Sequence, residues 1–160
     1  MFLHLLRHAH AGDRTTWSGP DEARPLTDKG RGQADRLGRF LAEQQFSTDL
    51  VVTSPMVRAR QTADIVAEHL GLSVVVDDRL GEVLEAAMVE AILRDHHDPA
   101  VPILVGHDPD LSDLVASLCG AAAVPIRKGT FARIESERPL RDHRGTLRWL
   151  IPPDVFTLER

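Results

Sequence analysis

Short apolar runs alternate with longer amphipathic stretches along the first 120 residues of the chain. Four of these runs are rich in leucine or β-branched residues, which predicts strands beginning near positions 1, 50, 74 and 102. The stretches between them carry apolar side chains at helical spacing, and they predict helices over about 28–45, 55–70 and 85–94 and a fourth from about 109. Strands that alternate with helices indicate an α/β domain with a mostly parallel sheet.

The helix ends have recognisable signals. Thr27 or Asp28 can cap the first helix, because a short oxygen-bearing side chain accepts hydrogen bonds from the first helical turn. The pairs Ser54-Pro55 and Asp108-Pro109 each predict a capping residue followed by a first-turn proline. Gly71 predicts a left-handed residue that ends the second helix.

The last third of the chain changes pattern. Residues Thr130 to Ile134 and Thr146 to Ile151 predict two further strands, which can pair antiparallel at the edge of the sheet before Pro152-Pro153 ends the pattern. We therefore expect a three-layer α/β/α sandwich whose central sheet is mostly parallel with an antiparallel edge strand. A length of 160 residues suits one core, so a single domain over residues 1–160 is expected.

Composition narrows the class of partner. A net charge of −5 argues against a nucleic-acid partner held by general electrostatics, but it leaves room for a local basic pocket. The single cysteine, Cys119, excludes an internal disulfide and fits a reducing compartment. No apolar run approaches the roughly 18 residues of a membrane span, and no signal-like segment is present. The sequence thus predicts a cytoplasmic protein without a membrane partner.

Cationic and titratable residues follow three of the predicted parallel strands. Arg7 and His8 end the first, Arg58 lies just after the second, and His107 follows the strand near position 102. The carboxyl ends of parallel strands share one edge of a sheet, where ligands bind. Two guanidiniums and two helix N-termini favour an anion there, and a neutral imidazole can attack phosphorus. This pattern indicates a phosphoryl-binding pocket.

Five motifs, in order and at fitting spacings, resemble the histidine phosphatase superfamily, the phosphoglycerate mutase-like proteins. Within it the short phosphohistidine phosphatases of the SixA type are most similar. The motifs are Leu6-Arg7-His8, Arg24-Pro25-Leu26-Thr27-Asp28-Lys29-Gly30, Ser54-Pro55-Met56-Val57-Arg58-Ala59-Arg60-Gln61-Thr62, Val105-Gly106-His107-Asp108-Pro109 and Leu147-Arg148-Trp149-Leu150-Ile151-Pro152-Pro153.

The resemblance implies a fold and a set of roles. His8 would accept the phosphoryl group as a phosphohistidine intermediate, which water then hydrolyses, without a metal or other cofactor. The phosphate-binding set would be Arg7, Arg58 and His107, with Arg24 reaching the pocket from the long loop 12–25. Glu82 would protonate the leaving group, and Glu85 is a nearby competitor for that role.

Two departures from the family pattern bear on activity and substrate. Ala9 replaces the usual glycine after the histidine, which would be strained only at positive φ, so activity is expected to survive. The long insertion that covers the site in larger relatives is absent, and an open rim suits a phosphorylated side chain carried on a protein. A phosphohistidine protein is therefore the expected substrate, and a small phosphomonoester is the alternative.

Two further alternatives remain open at this point. His8-Ala9-His10, with Asp108 and Asp110, imitates a metal-dependent hydrolase, although the barrel that usually carries that site needs about 250 residues and the nearby arginines would repel a cation. The pocket could also bind a phosphorylated partner without catalysis. The oligomeric state and the identity of the partner do not follow from the sequence.

Overall fold

The computed structural model of the protein describes residues 1–157 and contains six strands and four α-helices. The strands are β1 (Phe2–Arg7), β2 (Leu50–Thr53), β3 (Val74–Val76), β4 (Pro102–Gly106), β5 (Phe131–Glu135) and β6 (Thr146–Ile151). The helices are α1 (Asp28–Glu43), α2 (Val57–Leu70), α3 (Ala86–Asp95) and α4 (Asp110–Cys119). Among residues 1–157, no helix is long and apolar enough to cross a membrane.

All six strands form one mixed sheet in the order β3-β2-β4-β1-β5-β6. The pairs β2–β3, β2–β4 and β1–β4 are parallel, whereas β5 is antiparallel to both β1 and β6. The predicted α/β class, the mostly parallel sheet and its antiparallel edge are confirmed. The parallel half places the carboxyl ends of β1, β4 and β2 side by side.

Alternate strand residues face two hydrophobic cores, one on each side of the sheet. Leu6 and Val105 pack with apolar side chains of α1 and α2. Leu5 and Leu104 belong to the opposite core, which α3 and α4 cover. All four of these side chains are fully buried, and each contributes on the order of 2 kcal/mol through burial. The two cores confirm the expected three layers.

The helix caps agree only in part with the sequence prediction. Thr27 caps α1 by accepting a hydrogen bond from the amide of Gly30, and Gly71 ends α2 at φ 68°. The assignment of Ser54 as the cap of α2 was wrong, because its amide still donates to Val105 of the sheet and the helix begins only after Met56.

The second predicted cap is displaced in a similar way. Helix α4 begins at Asp110 and follows Pro109, so this proline precedes the helix instead of lying in its first turn. Asp108 nevertheless reaches the helix, since its Oδ1 accepts hydrogen bonds from the amide and hydroxyl of Ser112 at 3.3 and 2.6 Å. A carboxylate one residue before the N-cap can therefore still accept a hydrogen bond from the first turn of the helix.

Helix α1 touches the backbone just beyond β1. A Cβ atom added to Gly30 would lie 2.0 Å from the carbonyl oxygen of His10. That separation is far inside van der Waals contact, so only glycine allows this approach. The contact ties the start of α1 to the segment that follows His8.

We expect Gly30→Ala to destabilise the protein by about 2 kcal/mol, because the new methyl group must push α1 away from His10. Gly32→Ala is the matched control on the same helix, since the nearest atoms to its Cβ belong to the end of the long Arg36 side chain, at 3.1 Å or more. The control should be neutral or more stable by up to about 1 kcal/mol. Urea unfolding measures both, and equal stabilities would contradict the close-contact argument.

Candidate active site

The register of the parallel strands brings two histidines together. Arg7 of β1 lies opposite Gly106 of β4, and the His8 amide donates to the Gly106 carbonyl at 3.0 Å. His107 follows Gly106 directly, and its ring centroid lies 5.2 Å from that of His8. The predicted meeting of these strand ends at one edge is therefore present in the structure.

His8 is held in a defined orientation. Only 5% of the residue is exposed, and its Nδ1 lies 2.8 Å from the carbonyl oxygen of Ala9. Because a carbonyl can only accept, Nδ1 carries the proton in the neutral ring and Nε2 keeps the lone pair. Burial lowers the pKa of His8 to about 3; the Ala9 hydrogen bond opposes this shift, and the charges of Arg58 and Arg7 add to it.

Ala9 fits its position without strain. Within residues 1–157, the residues other than glycine with positive φ are Gln45, His97, Asp98 and His143. Ala9 is not one of them, so the missing glycine costs nothing in backbone energy. Its amide donates to Thr62 Oγ1 at 3.0 Å, which fixes the carbonyl that orients His8.

His107 is positioned by a buried serine. Its Nε2 lies 2.7 Å from Ser54 Oγ, and its Nδ1 is buried without a hydrogen-bond partner in the described part of the chain. Ser54 Oγ accepts weakly from the Met56 amide, so its own proton is available to His107 Nε2. Burial, followed by the charges of Arg58 and Arg7, lowers the pKa of His107 to about 4. In its neutral form the ring can then donate from Nδ1.

Arg58 is anchored through both terminal nitrogens of its guanidinium, and Arg7 through one. Arg58 Nη1 donates to the Asp21 carbonyl at 2.7 Å, and its Nη2 donates to Asp21 Oδ2 at 3.1 Å. Arg7 Nη1 donates to the Ile126 carbonyl at 2.7 Å and lies 3.5 Å from Asp108 Oδ2. The Nε atoms of both arginines are buried, with no hydrogen-bond partner within residues 1–157. Two fixed cations with spare donors suit an oxyanion.

The structure places Arg24 beside the pocket, behind Arg58. Its Nη1 donates to the carbonyls of Ala11 and Gly12 at 2.7 and 3.2 Å, and its Nε donates to Asp21 Oδ1 at 3.0 Å. Asp21 thus bridges the two arginines. Sequence reasoning missed Asp21, and its only signal was its place in a long loop of the kind that often carries function.

Glu82 directly follows Gly81, whose backbone lies against Ser54 of the pocket. It follows the 3-10 turn Asp78–Gly81, and a Cβ added to Gly81 would lie 3.5 Å from Ser54 Oγ. The Glu82 side chain is exposed and makes no hydrogen bond or ion pair with any residue of the described chain. Glu85, the alternative, is also exposed and immediately precedes α3. The role of either residue as an acid stays a prediction.

Lys128 is a neighbour of the pocket that the sequence did not reveal. The amide of Gly129, at φ 79°, donates to the carbonyls of Arg7 and His8 and so ties the loop before β5 to the end of β1. Burial lowers the pKa of the Lys128 ammonium, and the charges of Arg24, Arg7 and Arg58 act in the same direction. Lys128 therefore adds positive charge beside these arginines.

Metal-ligating side chains do not converge in this region. Within residues 1–157, no three His, Cys, Asp or Glu side chains are grouped closely enough to hold a metal ion. This geometry lends no support to the metal-dependent hydrolase alternative.

Comparison with known proteins agrees with this site. A family model of the histidine phosphatase superfamily, branch 1, matches residues 3–107. Phosphohistidine phosphatase SixA of Escherichia coli K12 is 29% identical over 157 residues, which cover 96% of this chain and 94% of that protein. The structure of the protein histidine phosphatase SixA complexed with tungstate has a TM-score of 0.83 at 26% identity and covers 97% of this chain and 99% of its own.

A more distant structure shares the fold alone. The α-ribazole phosphatase from Shigella flexneri has a TM-score of 0.73 at 22% identity, covering 96% of this chain and 97% of its own. The chain belongs to the histidine phosphatase superfamily, and it is a phosphatase. The resemblance to the SixA type, drawn from the motifs, is confirmed.

The free energy of unfolding should fall as the pH drops from about 6.5 toward 4. Burial lowers the pKa of His8 to about 3 and the pKa values of His4 and His107 to about 4. In this pH range these histidines bind protons in the unfolded chain but stay unprotonated in the folded protein. Each histidine contributes a slope on the order of 1 kcal/mol per pH unit in this window.

Urea unfolding at a series of pH values measures this slope. The informative variant is His4→Gln, because His4 is fully buried outside the pocket and its Nδ1 bonds only the Pro102 carbonyl. An amide can make that same bond but does not titrate, so we expect a slope shallower by about one histidine's share. Identical slopes in the two proteins would disprove the assignment.

Proposed function

We propose that this phosphatase removes phosphate from phosphohistidine on a protein, through a phosphoenzyme intermediate at His8. One observation carries the proposal: His8 is buried, neutral and tied through Nδ1 to Ala9, which leaves the Nε2 lone pair for attack. Arg7, Arg58 and His107 lie around His8, and each has a side-chain nitrogen that makes no hydrogen bond within residues 1–157. No proton has to leave His8 before it reacts.

In the first step, His8 Nε2 attacks phosphorus in line with the leaving group. A new P–N bond forms at His8, and the bond between phosphorus and the leaving group breaks. Negative charge on the phosphoryl oxygens is stabilised by Arg7 and Arg58, with a hydrogen bond from His107. Because Asp108 and Asp21 hold the guanidiniums in place, little reorganisation is needed as the transition state forms.

In the second step, water attacks the phosphorylated His8. The P–N bond breaks, inorganic phosphate forms, and the electron pair returns to Nε2. The same cations serve both steps, since the phosphoryl group stays between them. In this scheme Arg24 does not touch phosphate; it acts through Asp21, to which both Arg24 and Arg58 bond.

Glu82 is proposed to give its proton to the leaving group and later to take one from water. Its carboxyl group has no competing partner among residues 1–157, and the backbone beside it borders Ser54. An imidazole is a better leaving group than an alkoxide once it is protonated, so a phosphohistidine substrate depends less on this acid. A site with an exposed acid at its rim is compatible with such a substrate.

Two features support a protein as the carrier of the phosphate. The chain lacks the long insertion that covers the site in larger relatives, and a relative that matches over nearly its full length is a phosphohistidine phosphatase. We propose a single catalytic domain over residues 1–160, acting in the cytoplasm, where one half-buried cysteine and no disulfide suit a reducing environment.

Replacing His8 tests the nucleophile. His8→Ala should lose turnover by at least about 10³-fold while it stays folded, because no other group in the pocket can form the phosphoenzyme. Phosphate release is measured in excess chelator from a phosphohistidine-carrying protein domain and from a small aryl phosphate. The matched control is His143→Asn, which removes an exposed imidazole beside the end of α4 and keeps a residue type that tolerates the φ of 60° at this position.

The outcomes separate the mechanism from the substrate. A His8→Ala protein that is folded and still active would disprove the mechanism. Turnover of the aryl phosphate alone by wild type would keep the chemistry and move the substrate to a small phosphoester. Release of phosphate only without chelator would instead favour a metal-dependent enzyme.

Glu82→Gln should slow hydrolysis of a serine-type alkyl phosphate by about 10²-fold and an aryl phosphate with a good leaving group far less. The reason is that general acid catalysis matters most for the poorest leaving group. Glu85→Gln is the matched control, with the same loss of charge three residues away. If Glu85→Gln shows the selective loss and Glu82→Gln does not, the two assignments must be exchanged.

A further inference from the structure

A second cationic surface adjoins the phosphate pocket. It is a groove of about 480 Å³, a volume typical of ligand sites, between the end of β1, the start of α1 and the loop before β5. We define the basic groove by its five cationic side chains, which are Arg7, Lys29, Arg36, Arg127 and Lys128. Arg7 also lies next to His8 in the pocket, so the groove begins beside the pocket.

Charge in the basic groove is poorly balanced by the protein itself. Within residues 1–157, Asp154 is the one carboxylate that lines the groove, and it lies 3.3 Å from Arg127. Asp13, outside this lining, partly offsets the effect of the arginines on the pKa of Lys128. Lys29, Arg36 and Lys128 make no ion pair with any residue between 1 and 157. The contrast with the rest of the molecule is strong, because the chain has a net charge of −5 and its only two lysines are both in this groove.

Part of this positive charge is held away from water. Lys128 is half-buried, and the same burial and neighbouring arginines lower the pKa of its ammonium. The Nε of Arg36 is buried without a hydrogen-bond partner in the described chain. Like charges packed together in this way repel one another, and a bound anion would relieve that repulsion.

We propose that the basic groove binds a carboxylate-rich segment of the protein substrate, next to its phosphorylated side chain. This inference rests on the proposed function, since it requires that the phosphoryl group in the pocket be carried by a protein. Arg7 is shared by the pocket and the groove, so when the phosphoryl group lies against Arg7, neighbouring residues of the same substrate can reach the groove.

The arrangement of the cations favours several carboxylates over one further phosphate. They come from three separate elements, and Lys29 and Arg127 are exposed at the surface. A single phosphate is bound best by donors that converge, as those of Arg7 and Arg58 are proposed to do in the pocket. Separate exposed cations instead match acidic side chains spaced along a chain, and they speed encounter with an acidic partner at low salt.

The test compares two peptides that carry one phosphohistidine, flanked by three glutamates in one and by three glutamines in the other. Wild type should prefer the glutamate peptide by about 10-fold in kcat/KM at low ionic strength, because each exposed ion pair is worth at most a few-fold. The preference should fall toward unity in about 0.5 M salt, which screens exposed charges within a few ångströms. An aryl phosphate provides the reference rate for every protein.

The groove variant is Lys29→Gln with Arg127→Gln, and its preference should drop to about 2-fold. The matched control is Arg31→Gln with Arg141→Gln, which removes the same charge from two exposed positions outside the groove and should keep the preference of wild type. Equal loss in both variants would show a general charge effect and overturn the proposal.

The remaining outcomes are distinguishable from failure of the proposed function. Equal turnover of both peptides by wild type overturns the groove and leaves the phosphohistidine activity standing. Turnover of the aryl phosphate with neither peptide overturns the protein substrate and the groove together. The wild-type protein could instead prefer a small bisphosphate over its monophosphate and show no preference for the glutamate peptide. If the groove variant loses that preference, the groove binds a second phosphate, and the proposal of an acidic substrate segment is overturned.

Discussion

The parallel register of β1, β4 and β2 is the constraint on which the rest of the site depends. Arg7 lies opposite Gly106, and Thr53 lies opposite Val105, so the residues that follow each strand emerge at one edge. Side chains alternate along a strand, and a slip of one residue would send His8 to the other face of the sheet. The two hydrophobic cores prevent that slip, because it would also exchange every buried leucine for a residue of the wrong face.

The chemistry proposed for the pocket has two electrostatic requirements. Phosphate binding calls for fixed cations, whereas a nucleophilic histidine must be neutral. Burial is the main cause of the lowered pKa of His8, and the charges of Arg58 and Arg7 act in the same direction, so cations that would bind phosphate do not conflict with a neutral His8. Asp21 and Asp108 anchor Arg58 and Arg7 without filling all of their donors. The excess of positive charge then continues outward into the basic groove on an otherwise acidic protein.

Differences between the predicted and observed elements arise at the pocket. Ser54 has the residue type of a helix cap, but its amide bonds to Val105 of the sheet and its hydroxyl supports His107. Asp108 reaches its helix from one residue further out while it also lies near Arg7. Both residues serve contacts with distant parts of the chain. Rules for local capping cannot register such contacts, since they consider only the neighbouring turn.

The sequence alone determined the order of strands and helices, the α/β class and the meeting of Arg7, His8, Arg58 and His107 at one edge. These follow from local apolar periodicity and from the rule that parallel strands share a carboxyl edge. Only the tertiary structure decided which nitrogen of His8 carries the proton, that Asp21 bridges two arginines, and that Lys128 lies beside the pocket. Each of these depends on burial or on atoms brought together by folding, and no pattern of neighbouring residues encodes that proximity.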